Sequence, residues 1–415
     1  MLLKVFHSLQ KWVDEVNGTY ITKCSPARDL EFLSKNTGRS LRQYGFTNES
    51  IAALMLNYGK EIEYALGIIE CLYVLVWYWP NGEELLFPVN EKGSIYIGNM
   101  PKHWLSMYPF LRSLDSHNYK FECSLDIIYT SEEDFNLEAL YIGGQSHFGH
   151  FCLDTIAPLV ELSALLQGIA IKRIACSPMH KKQTKELIMI FLEDLERSNN
   201  MQYASNWSVR NISSFKLGGE SGIYKVGKAI VPSNTHSPGS LVSGQRFFQK
   251  TLRIKGSKLD ETTYATQPKV SHKKIAYLSR NKEDNKIHDR IGNYQEFKKI
   301  LDRFGVKHIC PEFLDIKDRV KQLSQYDLVI SDSGSCELNA FMFTRPNTRI
   351  YSIRNERVLS QTSESELAFF YKQLPLIGNT LFSIKAKPSR ISKASSWYDI
   401  VEVDLKQLFK ILEKS

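Results

Sequence analysis

The period of the hydrophobic positions changes several times along the chain, and each change marks an element. At the start, Leu3, Phe6, Leu9 and Val13 are spaced for one helix face. Pro26-Ala-Arg-Asp-Leu-Glu-Phe-Leu and Asn48-Glu-Ser-Ile-Ala-Ala-Leu-Met-Leu repeat that spacing, the second behind a capping residue. Residues 1–60 are therefore expected to form an N-terminal helical extension. From 70 to 145 the pattern shortens, and strands are expected at 72–79, 84–89, 94–97, 125–129 and 138–142. The run Tyr64 to Trp79 is apolar enough to raise the question of a membrane span. It contains Glu70, falls short of about 20 apolar residues and stops at Pro80-Asn-Gly82, so a strand paired with Glu84–Val89 explains it better.

Beyond 145 the chain alternates. An apolar helix is expected over Ile156–Leu166, a strand over Lys172–Cys176 and an amphipathic helix over Gln183–Leu195. Strand character returns at 214–216 and 228–232, a loop follows at 232–240, and 247–252 reads as helical. Residues 256–274 are polar, lysine-rich and without period, which suits a domain linker. The last part is the most regular: strands at 274–279, 306–310, 327–331 and 348–353, with helices at 293–304, 316–325 and 335–343 between them. Such alternation implies a parallel sheet covered by helices on both faces. The expected architecture is α/β, with a helical extension (1–60), an N-terminal domain (61–255) and a C-terminal domain (256–415).

Composition narrows the class. A length of 415 residues suits two or three domains, and 43% hydrophobic with 24% charged residues excludes a disordered, collagen-like or multi-span membrane chain. The net charge of +8 fits an anionic small ligand or an anionic membrane surface and does not call for nucleic acid. Lys4 and His7 interrupt any apolar run at the start, which argues against a signal peptide. The seven cysteines are odd in number and form no Cys-x-x-Cys pair, as expected of buried thiols in a reduced compartment. The expected location is cytoplasmic, with possible peripheral attachment to the inner membrane.

Three segments carry candidate chemistry. In Ser331-Asp-Ser-Gly-Ser335 a strand ends in a short polar loop that opens a helix, so Ser333, Gly334 and Ser335 offer amides and hydroxyls to a phosphate. An ordinary helix cap is the alternative. Leu278-Ser279-Arg280 ends another parallel strand and leads into a basic run containing Lys282, Lys286, His288 and Arg290. Ligands of open α/β sheets bind at the carboxyl ends of strands, and a guanidinium can chelate two phosphate oxygens, so Arg280 is the preferred member. In His147-Phe-Gly-His150-Phe-Cys-Leu-Asp154 the two histidines and the aspartate share a helix face. A His-x-x-His zinc site is weak there because Gly143-Gly144 and Gly149 favour a loop. A general base, His150 or Asp154, suits the segment better, with His147 capping or orienting the helix.

These segments occur in an order that resembles glycosyltransferase family 61 in its bacterial, capsule-type branch. The matching pieces are Gly143-Gly-Gln-Ser-His-Phe-Gly-His-Phe-Cys-Leu-Asp154, Tyr277-Leu-Ser-Arg280, Phe304-Gly-Val-Lys-His-Ile-Cys-Pro-Glu312, Gly334-Ser-Cys-Glu-Leu-Asn339, Pro346-Asn-Thr-Arg-Ile350 and Trp397 to Asp404. Ser333 stands where many members carry histidine, and Glu337 where an apolar residue is usual. The likeness covers roughly 140–415.

The resemblance implies a GT-B-like enzyme with two Rossmann-like domains facing a cleft. It would be inverting, would need no metal or other cofactor, and would move a sugar from a nucleotide-sugar donor to a hydroxyl of a glycan or lipid-linked glycan acceptor in capsule or lipopolysaccharide synthesis. The donor would be held by Ser279, Arg280, Lys286, Ser333, Gly334, Ser335, Glu337 and Asn339, and the base supplied by His150 or Asp154 beside His147. Glu337 is expected either to meet the donor ribose or sugar or to be a surface cap. The rival readings are a polysaccharide pyruvyltransferase-like enzyme, a zinc hydrolase on His147 and His150, and a non-catalytic glycan-binding relative.

Overall fold

The computed structural model describes residues 2–25, 62–78, 84–98, 109, 111–115, 120–125, 127–128, 139–145, 151–166, 169, 171, 173–176, 182–198, 213–216, 221–233, 244, 247–248, 273–280, 290–345, 348–355, 380–388 and 400–415. The chain divides into two compact units, one of Met1–Pro26 with Glu61–Ser240 and one of Ala27–Lys60 with Leu241–Ser415. It is an α/β protein with one mixed sheet in each unit.

The first unit begins with β1 (Leu2–Phe6), α1 (Leu9–Asp14) and β2 (Thr19–Ser25). This corrects the expected helical extension over those residues; most of the remainder of 1–60 lies outside the described residues. The four apolar residues do not share one helix. Leu3 and Val5 are buried on either side of exposed Lys4, the period of a strand. Ser8 then accepts from the Lys11 amide at 3.3 Å and starts the helix at Leu9. The helix stops where Asn17 takes φ 53° and Gly18 brings the chain against the strand segment carrying Ile68. A Cβ on Gly18 would lie 2.6 Å from the Ile68 carbonyl oxygen, so only glycine allows that approach.

The spine of this unit is β3 (Ile62–Tyr78). Antiparallel β2 and then β4 (Glu84–Asn90) share one of its edges, and antiparallel β13 (Gly222–Pro232) takes the other. From β4 the sheet continues through β5 (Ser94–Tyr96) and β1 to the antiparallel pair β7 (Lys120–Cys123) and β6 (Leu111–Asp115). Short β8 (Ile127–Ile128) and β10 (Gly144–Gln145) add to β13 and β4.

On the far side of β13 lies a parallel set: β9 (Ala139–Tyr141), β11 (Arg173–Cys176) and β12 (Ser213–Lys216). A helical passage ending in α2 (Ala157–Leu166) links the first two, and α3 (Lys182–Ser198) stands between the last two. Only this βαβαβ portion has Rossmann-like connectivity; the rest of the sheet is largely antiparallel.

β3 is buried on both faces, which explains its almost unbroken apolar run. Leu72, Val74 and Val76 join Trp12 and Val13 in one core, while Leu75 joins Leu3, Phe87 and Ile95 in the other. The segment that raised the membrane question is thus a central strand. Among the described residues no helix is long and apolar enough to cross a membrane.

The described residues of the second unit form six strands: β14 (Ile275–Leu278), β15 (Lys307–Ile309), β16 (Leu328–Asp332), β17 (Arg349–Asn355), β18 (Thr380–Pro388) and β19 (Val401–Val403). Their spatial order is β15-β14-β16-β17-β18-β19; all neighbours are parallel except antiparallel β19. This is the 2-1-3-4-5 order of a doubly wound sheet with one added edge strand. Four helices accompany it: α4 (Tyr294–Arg303), α5 (Ile316–Leu323), α6 (Ser335–Phe343) and α7 (Leu405–Glu413). Helices α4 and α7 bury Phe297, Leu301, Leu408 and Leu412 against Tyr277, Leu328 and Ile330. Helices α5 and α6 pack on each other, and α6 on β16 and β14.

One buried ion pair pins α6 to the sheet. Glu337, in its first turn, is paired with Arg354 of β17 and accepts from the Ser352 hydroxyl at 3.1 Å; the two charged side chains are 6% and 3% exposed. Glu337 is therefore not a surface cap.

Two stability changes are expected. Trp12 is fully buried and its Nε1 donates to the Ser94 carbonyl at 2.6 Å, so Trp12→Ala should cost about 3–5 kcal/mol. Glu337→Ala should cost a similar ~3–5 kcal/mol by stranding a buried guanidinium. Denaturant unfolding curves check both, and unchanged midpoints would show that neither contact carries that load.

Candidate active site

The order of the second sheet fixes where a ligand can bind. β14 lies between β15 and β16, and the chain leaves it on one side and returns on the other. The gap at the carboxyl ends of β14 and β16 is the switch point of such a sheet. Leu278 pairs with Ser331, so Ser279-Arg280 and Asp332-Ser333-Gly334-Ser335 emerge there side by side.

The loop leaves the start of α6 open. Among the described residues Ser8 caps α1, Asp315 caps α5 and Asp404 caps α7 through their side chains. The cap position of α6 is Gly334, which has no side chain to offer. Its φ of 88° and ψ of −130° are strained for any other residue. A Cβ placed there would meet no atom within 4 Å, so it is the backbone conformation and not crowding that calls for glycine. An ordinary side-chain cap, the alternative for this loop, is absent at Gly334. First-turn amides and the helix dipole both favour an anion at such an end.

Arginines flank the loop. Arg280 Nη2 donates to Ser335 Oγ at 3.2 Å, and Arg290 Nη1 donates to the Ser333 carbonyl at 3.2 Å. Behind the loop, Tyr277 donates its hydroxyl proton to buried Asp332 Oδ1 at 2.7 Å. Burial pushes the Tyr277 hydroxyl well up, and the Asp332 charge adds to it. Cys336, buried in the first turn of α6, has its thiol raised by burial and then by Asp332. Arg280 and Arg290 pull that thiol down and Glu312 pushes it up, so these charges act on one locus.

Behind α6 a second polar chain fixes its pose. Arg319 of α5 is 2% exposed. It donates through Nε to the Leu314 carbonyl at 3.2 Å and through Nη1 to Asn339 Oδ1 at 2.9 Å. Asn339 Nδ2 donates in turn to the Ser335 carbonyl at 2.7 Å.

Of the expected donor residues, Ser279, Arg280, Ser333, Gly334 and Ser335 are brought together at the switch point. Glu337 and Asn339 lie on α6 with their side chains committed to Arg354, Ser352, Arg319 and Ser335. Lys286 lies outside the described residues. Sequence reasoning passed over Asp332, Tyr277 and Arg319 and gave Arg290 no contact of its own. Arg319 carried a signal, since it stands three residues after Ile316 and one before Val320 on the apolar face of α5.

In the first unit, His147 and His150 lie outside the described residues. Asp154 lies in a π-helical turn, Cys152–Ile156, that precedes α2. Such turns are rare and cluster at functional sites. Thr155 Oγ1 donates to the Gly143 carbonyl at 3.0 Å, which ties together the two ends of the segment holding both histidines. A Cβ on Gly143 would lie 2.1 Å from the Tyr141 hydroxyl, which explains this glycine. Among the described residues no group of three or more His, Cys, Asp and Glu side chains has the arrangement of a metal site.

Among the described residues Cys71, Cys123, Cys152, Cys176, Cys310 and Cys336 carry free thiols, with Cys123, Cys152 and Cys336 buried.

No curated protein is a significant match to the chain. Residues 148–351 match the profile of the family described as Glycosyltransferase 61. The matched stretch starts just before the π-helical turn, takes in Arg280 and the open start of α6, and ends in β17. Across that stretch the chain belongs to glycosyltransferase family 61, and the protein is a glycosyltransferase.

Proposed function

We propose that the protein transfers a sugar with inversion, without a metal, from a nucleotide-sugar to a hydroxyl of a glycan or lipid-linked glycan. The layout proposed is GT-B, with donor binding in the second unit and acceptor activation in the first. The observation that carries this reading is the uncapped start of α6 at the switch point, with Arg280 hydrogen-bonded to Ser335 beside it.

The departing group of such a reaction is a nucleoside diphosphate, whose charge grows as the glycosidic bond breaks. Donors fixed in advance stabilise that charge without reorganising during the step. The Gly334–Ser335 amides, the Ser333 and Ser335 hydroxyls and the Arg280 guanidinium are such donors, and Lys286 is assigned with them. Arg290 supports the loop by holding the Ser333 carbonyl. Neutralisation by these groups takes the part a divalent cation plays elsewhere.

On the acceptor side, His150 or Asp154 takes the hydroxyl proton as the new bond forms, and the other of the two orients it, with His147 assigned beside them. The π-helical turn around Asp154 supports a functional role for the segment. The biological setting proposed is bacterial capsule or lipopolysaccharide synthesis at the cytoplasmic face of the inner membrane. The excess positive charge suits anionic lipid there.

Arg280→Ala is expected to weaken nucleoside diphosphate binding roughly 10- to 100-fold, read by calorimetry. Unchanged binding would remove Arg280 from the donor site. His150→Ala or Asp154→Asn is expected to lower turnover by about 100- to 10,000-fold with little change in donor affinity. Full activity in both variants would refute the base assignment. EDTA should leave the rate unchanged; loss restored by zinc would bring forward a metal site on His147 and His150.

A further inference from the structure

Phe313 is one of two large hydrophobic residues strongly exposed among the described residues, at 60%. The other, Met189, lies on α3 of the first unit. Phe313 closes the 3-10 turn Pro311–Phe313, which leaves the carboxyl end of β15. β15 is paired with β14 in register, Leu278 against Ile309, and the Ser279 amide donates to the Ile309 carbonyl at 3.1 Å. The turn therefore lies at the same end of the sheet as Arg280, one strand further from the phosphate loop.

The turn is held rigidly. Pro311 fixes its start, Asp315 caps α5 directly after it, and the Phe313 and Leu314 amides donate to the Cys310 and Pro311 carbonyls at 3.2 and 3.1 Å. Arg319 then links it to the phosphate loop. One guanidinium holds the Leu314 carbonyl and Asn339, and Asn339 holds the Ser335 carbonyl. A buried arginine spent on joining two loops fixes the spacing between them. A largely exposed aromatic residue at the rim of an anion site, on a turn braced to that site, has the makings of a stacking platform.

We infer that Phe313 is the stacking platform for the nucleobase of the donor, with Arg319 setting its distance from the diphosphate loop. This rests on the donor-site reading above and adds to it a residue that senses the nucleoside. A π-face accepts every base, so the platform supplies affinity and leaves the choice of base to polar groups around it. Glu312, whose charge is felt at Cys336, is the nearest acidic group in sequence.

The test is calorimetric titration of the full chain with UDP, CDP, GDP and ADP, and separately with inorganic pyrophosphate. Phe313→Ala should weaken the nucleoside diphosphate that binds best by roughly 10-fold or more and leave pyrophosphate unchanged. Phe313→Tyr should retain wild-type affinity. Arg280→Ala should weaken both classes of probe. If Phe313→Ala leaves nucleoside diphosphate affinity intact, or lowers both classes equally, the platform is overturned while the donor site stands on the Arg280 result. Wild-type protein binding no nucleoside diphosphate more tightly than pyrophosphate also overturns it. If Arg280→Ala changes neither probe, the donor site itself falls.

Discussion

The parallel pairing of β14 with β16 is the constraint on which the second unit depends. Leu278 opposite Ser331 brings two strand ends to one level. The chain order then sends the following segments to opposite sides, so no connection crosses the gap between them. Arg280 and the Ser333–Ser335 loop meet at that gap, one from each of these ends. Shifting the pairing by a single residue would turn Tyr277 away from Asp332 and carry Arg280 from Ser335.

The first unit meets a different demand. Its 17-residue spine strand must be covered on both faces and paired on both edges. The N-terminal β1–α1–β2 segment supplies cover and pairing together: Trp12 and Val13 lie over one face, Leu3 joins the other core, and β2 pairs with the first half of the spine. With these contacts, the segment is structural to the first unit. The parallel βαβαβ portion, from which the π-helical turn of Asp154 arises, is attached to the opposite side of that spine through β13.

The strand–helix alternation from 274 to 353 was legible because short strands alternate with helices of clear period; the described elements there depart from it by only one or two residues, while β18 and β19 were not anticipated. The start of the chain was not. Leu3, Phe6, Leu9 and Val13 satisfy a helical period by coincidence, and period alone cannot reveal that β5 and β7 wait to pair with residues 2–6. Arg280 and the 333–335 loop were legible from strand-end position. Asp332 and Tyr277 were not, because a polar side chain on a buried strand declares its purpose only once its neighbour across the sheet is known.

The segment Gly334-Ser-Cys-Glu-Leu-Asn339 acquires a physical meaning from these contacts. Its first residue frees the helix start, since glycine alone takes the dihedrals and adds no cap. Its last residue stands one helical turn after Ser335, the spacing that lets the Asn339 amide return to the Ser335 carbonyl. The other end of Asn339 is held by a buried arginine. Glu337 between them secures the same turn to β17 through Arg354. Buried polar pairs of this kind add little net stability and impose one geometry. The two polar side chains inside α6 thus set the direction in which its first amides point.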